Sequence, residues 1–161
     1  MADFTFAHRE EGFDNRIDQS IRGYSVLHDD IVKMSKYFVE DDTNIYDLGC
    51  STGKTLGAMI EQNKFAPHAH YVGYEMADGF REAMDDRMRK HEVDDLELRF
   101  EDVRDADMYN ASLITSIFTL QFMPRKDRQE VLNNVYEALN PGGAFIFAEK
   151  TYSCSSKVQD M

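Results

Sequence analysis

Short apolar runs alternate with segments of helical period from Val26 to Ala148, and this alternation constrains the fold more than any other feature of the chain. Val26 to Phe38 puts Leu27, Ile31, Met34 and Phe38 on one helical face. Asn44 to Leu48 reads as a short buried strand running into a glycine. Leu56, Met59 and Ile60 mark the helix after it, and His70 to Glu75 a second strand. Phe80, Met84 and Met88 recur every four residues, as an amphipathic helix requires. Leu96 to Glu101 alternates apolar and charged residues, the pattern of a half-exposed edge strand. Ser112 to Phe118 is the most apolar strand. Val131, Leu132, Val135 and Leu139 mark a helix stopped by Pro141-Gly142-Gly143, and Ala144 to Ala148 is a final buried strand.

This order predicts an α/β fold: a doubly wound, Rossmann-like parallel sheet of about five strands with helices on both faces. Right-handed crossovers leave few topologies. Ligands of such sheets bind at the carboxyl ends of the strands, near the switch point. There is no repeat and no composition break, so one domain is expected over residues 1–161. It divides into a helical N-terminal segment 1–40, a core 44–150 and a tail 151–161.

The first strand is followed by Asp47-Leu-Gly-Cys-Ser-Thr-Gly53, which opens a helix. The glycines permit a tight turn and close approach of a ligand to the backbone, and a new helix offers unpaired N–H groups. Gly49 to Thr55 resembles a phosphate loop, but three residues separate its glycines where that motif needs four. The strand 112–118 also ends without the Asp that would hold a magnesium ion. An acid just before the first glycine, Asp47, suits instead a nucleoside carrying an ammonium and a sulfonium. Glu75, at the end of the second strand, can accept hydrogen bonds from both ribose hydroxyls. Asp102, at the end of the third, can accept from an adenine amino group. A plain βα turn needs none of these acids; three of them around one glycine loop point to S-adenosylmethionine or S-adenosylhomocysteine as the ligand.

At this point the sequence resembles the carboxy-S-adenosylmethionine synthase family, a branch of the class I methyltransferases. The resemblance rests on Gly23-Tyr-Ser25, Tyr46-Asp-Leu-Gly-Cys-Ser51, Glu101-Asp-Val-Arg-Asp105, Phe118-Thr-Leu-Gln-Phe122 and Leu139-Asn-Pro-Gly-Gly-Ala144 with Glu149-Lys150. It implies that Tyr24 contacts the cofactor, and that Gly49, Cys50 and Ser51 line its methionine part. Glu75 and Met76 would hold the ribose, and Asp102 and Val103 the adenine. Asp47, Gly53 and Ile117 complete the expected cofactor site. Two departures stand out. Ile117 occupies a position where the family carries an Asn, and the family's Arg for the product carboxylate, beyond the fifth strand, has no counterpart here. The fold is therefore expected to be a truncated class I methyltransferase, and methyl transfer to an unidentified acceptor is the first expectation. A non-catalytic cofactor-binding module and carboxy-S-adenosylmethionine formation are the alternatives. No catalytic residue is singled out.

Charge and cysteine usage bound the partners. The formal net charge of −12 disfavours tight nucleic-acid binding by this chain alone. Half of that excess falls between Asp78 and Asp107, read as a solvated face or a docking face for a basic partner. No apolar run reaches membrane-span length, and Cys50 and Cys154 form no metal or redox spacing, so a cytoplasmic protein is expected. His68 and His70 share a strand face without a third ligand nearby, so no metal is expected. Lys54 and Arg125 lie near strand ends, where an anionic substrate would meet them. The last strand would be a bare apolar edge, which predicts a homodimer or hetero-complex covering it.

Overall fold

The computed structural model describes residues 12–91 and 96–151. Five strands form one parallel sheet: β1 (Asn44–Leu48), β2 (His70–Tyr74), β3 (Leu96–Arg99), β4 (Ala111–Ile117) and β5 (Leu139–Ala148). Their spatial order is β3-β2-β1-β4-β5. Among the described residues, five α-helices accompany them: α1 (Phe13–Ser20), α2 (Tyr24–Ser35), α3 (Lys54–Gln62), α4 (Arg81–Met88) and α5 (Arg125–Ala138). Strand order reverses between β1 and β4, so the switch point lies at their carboxyl ends.

Each central strand feeds two cores, because successive side chains point to opposite faces. Ile45, Tyr71 and Leu113 join Leu56, Met59, Ile60, Met84 and Met88 on the face covered by α3 and α4. Tyr46, Leu48, Val72, Tyr74 and Ile114 join Val131, Val135 and Ala138 of α5 on the other. All five residues of β1 are buried, as a strand covered on both faces demands.

Four expectations are corrected in detail. The buried face of α2 carries Tyr24, His28, Ile31 and Ser35, while Met34 is exposed. Ser35 can be buried because its hydroxyl donates to the Val32 carbonyl and accepts from Asn63 Nδ2. The last strand begins at Leu139, directly after α5, and holds the Pro141-Gly142-Gly143 stretch within it. There the register with β4 jumps from Ala111 opposite Leu139 to Leu113 opposite Ala144. Glu75 lies one residue beyond β2. Asp102 lies beyond β3, capping the 3-10 turn Val103–Asp105. His68 precedes β2 in a turn, and His70 opens the strand 3.7 Å from Glu97. Cys154 and the tail from residue 152 lie outside the described residues.

Candidate cofactor site

A cavity of about 1180 Å³ opens above the carboxyl ends of β1, β2 and β4. It brings together Tyr24, Asp47, Gly49, Cys50, Ser51, Glu75, Met76, Asp102, Val103 and Ile117. Gly53 does not line it. That glycine starts α3 at φ +71°, and a Cβ there would run into the Met88 and Met84 side chains of α4. Its role is packing between two helices. Lys54 faces the cavity, whereas Arg125 does not.

The floor is built from backbone turns and buried carboxylates. Gly49 and Cys50 both donate their N–H groups to the Tyr74 carbonyl, tying the loop after β1 to the end of β2. Glu75 closes the same joint from the other side. Its Oε2 accepts from the Ser51 N–H at 2.9 Å and its Oε1 from the Ala77 N–H at 2.8 Å. Burial pushes its carboxyl up, and these N–H groups hold it back. Each carboxylate oxygen has a second lone pair, so two outside hydroxyls can still donate to it. Asp47 is 2% exposed and accepts from the Thr115 hydroxyl at 2.8 Å. Burial drives its carboxyl up to about 7, with the Thr115 hydrogen bond opposing and the Glu75 charge adding to the rise. Ser51 occupies the left-handed region at φ +48° and Phe118, after β4, at φ +57°. Strained backbone thus flanks the cavity at both central strand ends.

Tyr24 enters from the start of α2. Its ring lies 6.3 Å from that of Phe118, and the Lys54 ammonium sits 5.3 Å over it. Burial, then the charges of Asp47, Asp14 and Asp18, push its hydroxyl up to about 12, so it stays a neutral donor near pH 7. Cys50 is buried, with its thiol pushed well up by burial and by Asp47 and Glu75, which disfavours the thiolate. Asp102 is engaged by Arg104, whose guanidinium meets both carboxylate oxygens and whose N–H donates to Oδ1. Among the described residues no cluster of three His, Cys, Asp or Glu is placed to hold a metal. No helix among them is long and apolar enough to cross a membrane.

Sequence reasoning missed the opposite wall. Helix α1 contributes Phe13, Asp14, Arg16, Ile17 and Ser20. It is anchored by Asp14, which accepts from Thr52 Oγ1 at 2.7 Å and from Arg87 Nη2 at 2.6 Å, and by the Phe13 ring standing edge-on to Phe80 at 4.9 Å. The only signal was one apolar pair at helical spacing, Phe13 and Ile17, in an otherwise polar run. Phe118, Thr119, Phe122 and Met123 complete the wall. Their conspicuous Phe-Thr-Leu-Gln-Phe pattern marked the family without telling which way the loop faces.

Residues 46–145 match the methyltransferase domain family. A carboxy-S-adenosyl-L-methionine synthase from Staphylococcus epidermidis is 39% identical over 138 residues, covering 86% of this chain and 58% of that protein. The enzyme of the same name from Klebsiella pneumoniae is 36% identical over 157 residues, covering 93% and 61%. The chain thus spans about three fifths of the length of these curated relatives. Among solved structures, the fold is similar to that of the N-methyltransferase NodS from Bradyrhizobium japonicum in complex with S-adenosyl-L-homocysteine. That match has a TM-score of 0.66 at 16% identity, over 82% of this chain and 64% of that one. Streptomyces venezuelae DesVI matches with a TM-score of 0.67 at 17% identity, over 89% and 58%. With its reversed strand order, glycine loop and paired strand-end acids, and the match over residues 46–145, the chain belongs to the methyltransferase-domain family.

Proposed function

We propose that this chain binds S-adenosylmethionine in the cavity above β1 and β4 and is the cofactor-binding domain of a methyltransferase. The observation that carries this reading is the pair of buried acids at adjacent strand ends, Asp47 and Glu75, facing one cavity with the glycine loop between them. Spare lone pairs on Glu75 suit a ribose diol, and a buried Asp47 favours a cationic ligand whose charge replaces its proton. Tyr24, Gly49, Cys50 and Ser51 then line the methionine part, Met76 flanks the ribose, and Asp102 and Val103 meet the adenine. Ile117 closes the end of β4. The bound cofactor supplies an electrophilic methyl on sulfonium. The chain's own groups bind it, exclude water and orient it, which suffices for a nucleophilic acceptor. Native mass spectrometry tests this reading: release of S-adenosylmethionine or S-adenosylhomocysteine supports it. A protein that neither carries nor takes up either one overturns it.

A second reading, formation of carboxy-S-adenosylmethionine, is favoured by the identity to the two bacterial synthases. Recovery of a carboxylated cofactor from the purified chain selects it over methyl transfer. We also place the protein in the cytoplasm, in keeping with the unpaired, buried thiol of Cys50. We further propose a homodimer or hetero-complex through the outer edge of β5, the last strand in the sheet order. A monomeric mass in solution scattering at micromolar concentration counts against the dimer.

A further inference from the structure

Five residues after β4 form part of the cavity wall although the first of them, Phe118, sits in a backbone conformation that bulky side chains avoid. Such a conformation persists only where its surroundings over-determine it. The determinant is on β5. Directly after that strand, Glu149 Oε1 accepts the Leu120 N–H at 2.8 Å and Oε2 accepts the Gln121 N–H at 2.9 Å. The side chain of Gln121 accepts the Lys150 N–H at 3.0 Å, so the two segments are bonded reciprocally. From α5, Arg128 donates to the carbonyls of Gln121 and Met123. The Phe118 N–H itself donates to the Ala148 carbonyl at 2.7 Å.

The loop held in this way leans on the cofactor loop. Thr119 packs so closely over Gly49 that a Cβ on Gly49 would collide with its hydroxyl and methyl groups. Glu149 is not a lining residue. A chain of contact nevertheless runs from its carboxylate, through the N–H groups of Leu120 and Gln121, to Thr119 and on to the glycine loop.

We propose that Glu149 is a positioning residue: it braces the loop after β4 against the glycine loop and thereby pre-forms the cofactor cavity. A carboxylate is needed because two adjacent N–H groups must each find an acceptor on one side chain. An amide offers one oxygen, and its NH₂ group would confront the second N–H. Without the brace the loop must be ordered when ligand arrives, and affinity falls by that cost.

The inference rests on the cofactor reading, so the test separates the two. S-adenosylhomocysteine is titrated into wild type, Glu149→Gln and Glu149→Ala, and amide hydrogen exchange is followed in the ligand-free proteins. The expected result is a dissociation constant raised about tenfold or more in both variants. Exchange should quicken at Phe118 to Met123 and at Gly49, with protection of β1 and β2 and the thermal midpoint little changed. Unchanged affinity and unchanged exchange at Leu120 and Gln121 overturn the proposal. So does weakened binding accompanied by loss of protection throughout the sheet, which is what a purely structural residue would give. If wild type itself does not bind, the cofactor reading fails, and quickened local exchange in the variants still decides whether the brace exists.

Discussion

The cavity wall formed by β1 and β2 is held by buried carboxylates that backbone N–H groups or a hydroxyl engage, whereas the wall formed by α1 is held by half-exposed ion pairs. Asp47 and Glu75 are both buried, and Glu75 is locked by two backbone N–H groups. Asp14 and Arg87, which anchor α1, each leave about 30% of the side chain in solvent. No residue of α1 is buried. Buried, fully bonded polar groups fix geometry because the alternative is an unsatisfied group in a low dielectric. Half-exposed pairs exchange their partners for water at little cost. One wall is therefore a rigid template, and the other is a cover that local opening can release.

Breaking the rigid wall should have the largest effect. Gly49→Ala forces an alanine into φ +78° and against Thr119. We expect a loss of roughly 2–4 kcal/mol of stability and cofactor binding weakened by about 100-fold, checked by denaturant unfolding and calorimetric titration. Asp47→Asn comes next. It keeps an acceptor for Thr115 but removes the charge a cationic ligand would meet, so affinity should fall by about tenfold or more. The same change should stabilise the ligand-free protein. The Asp47 carboxyl lies near 7 in the fold against 3.8 as a free side chain. The folded state therefore binds the proton more tightly, and stability declines as pH rises from about 4 to about 7. Unfolding curves across that range should flatten in the variant.

Loosening the cover should matter less. Burial raises the Asp14 carboxyl, but the hydrogen bonds from Arg87 and Thr52 and the Arg87 charge outweigh it and leave the group below its usual range. Its contribution is present above pH 4 and is lost on acidification through the folded value. Arg87→Ala should speed cofactor release by about fivefold in stopped-flow displacement and lower stability by less than about 1 kcal/mol. A larger stability loss would mean that α1 belongs to the core. Asp102→Asn should be smallest, at about threefold in affinity, because Arg104 already donates to both carboxylate oxygens and leaves a ligand little of the charge.

The same contrast separates what was legible in the sequence from what was not. Strands β1, β2 and β4 are short runs rich in apolar residues because both of their faces are covered, and such runs are hard to place anywhere else. The glycine loop and the acids beside it follow strand ends, so finding the strands found Asp47 and Glu75. The α1 wall was not legible: its contacts are partly exposed and distant in sequence, as between Asp14 and Arg87 and between Phe13 and Phe80. The buried face of α2 was misjudged for a related reason. Ser35 and His28 are interior residues there, and apolar periodicity cannot register a buried polar residue such as Ser35, which is satisfied by the remote Asn63. Gly53 looked like part of a ligand loop because a glycine needed for helix packing has the same letter as one needed for ligand approach. Glu149 was part of a family motif, but its use as a double acceptor depends on a loop 28 and 29 positions earlier folding back onto it.

The most direct test of the account is equilibrium titration of S-adenosylhomocysteine into the wild type and Glu75→Gln at pH 7.5. In the variant one of the two anchoring N–H groups loses its acceptor and the diol loses its charged partner. The account predicts saturable one-to-one binding by the wild type and at least about tenfold weaker binding by the variant. Equal affinity in the two proteins would show that Glu75 only ties the glycine loop together and that the ribose lies elsewhere. No binding by the wild type would contradict the cofactor assignment itself.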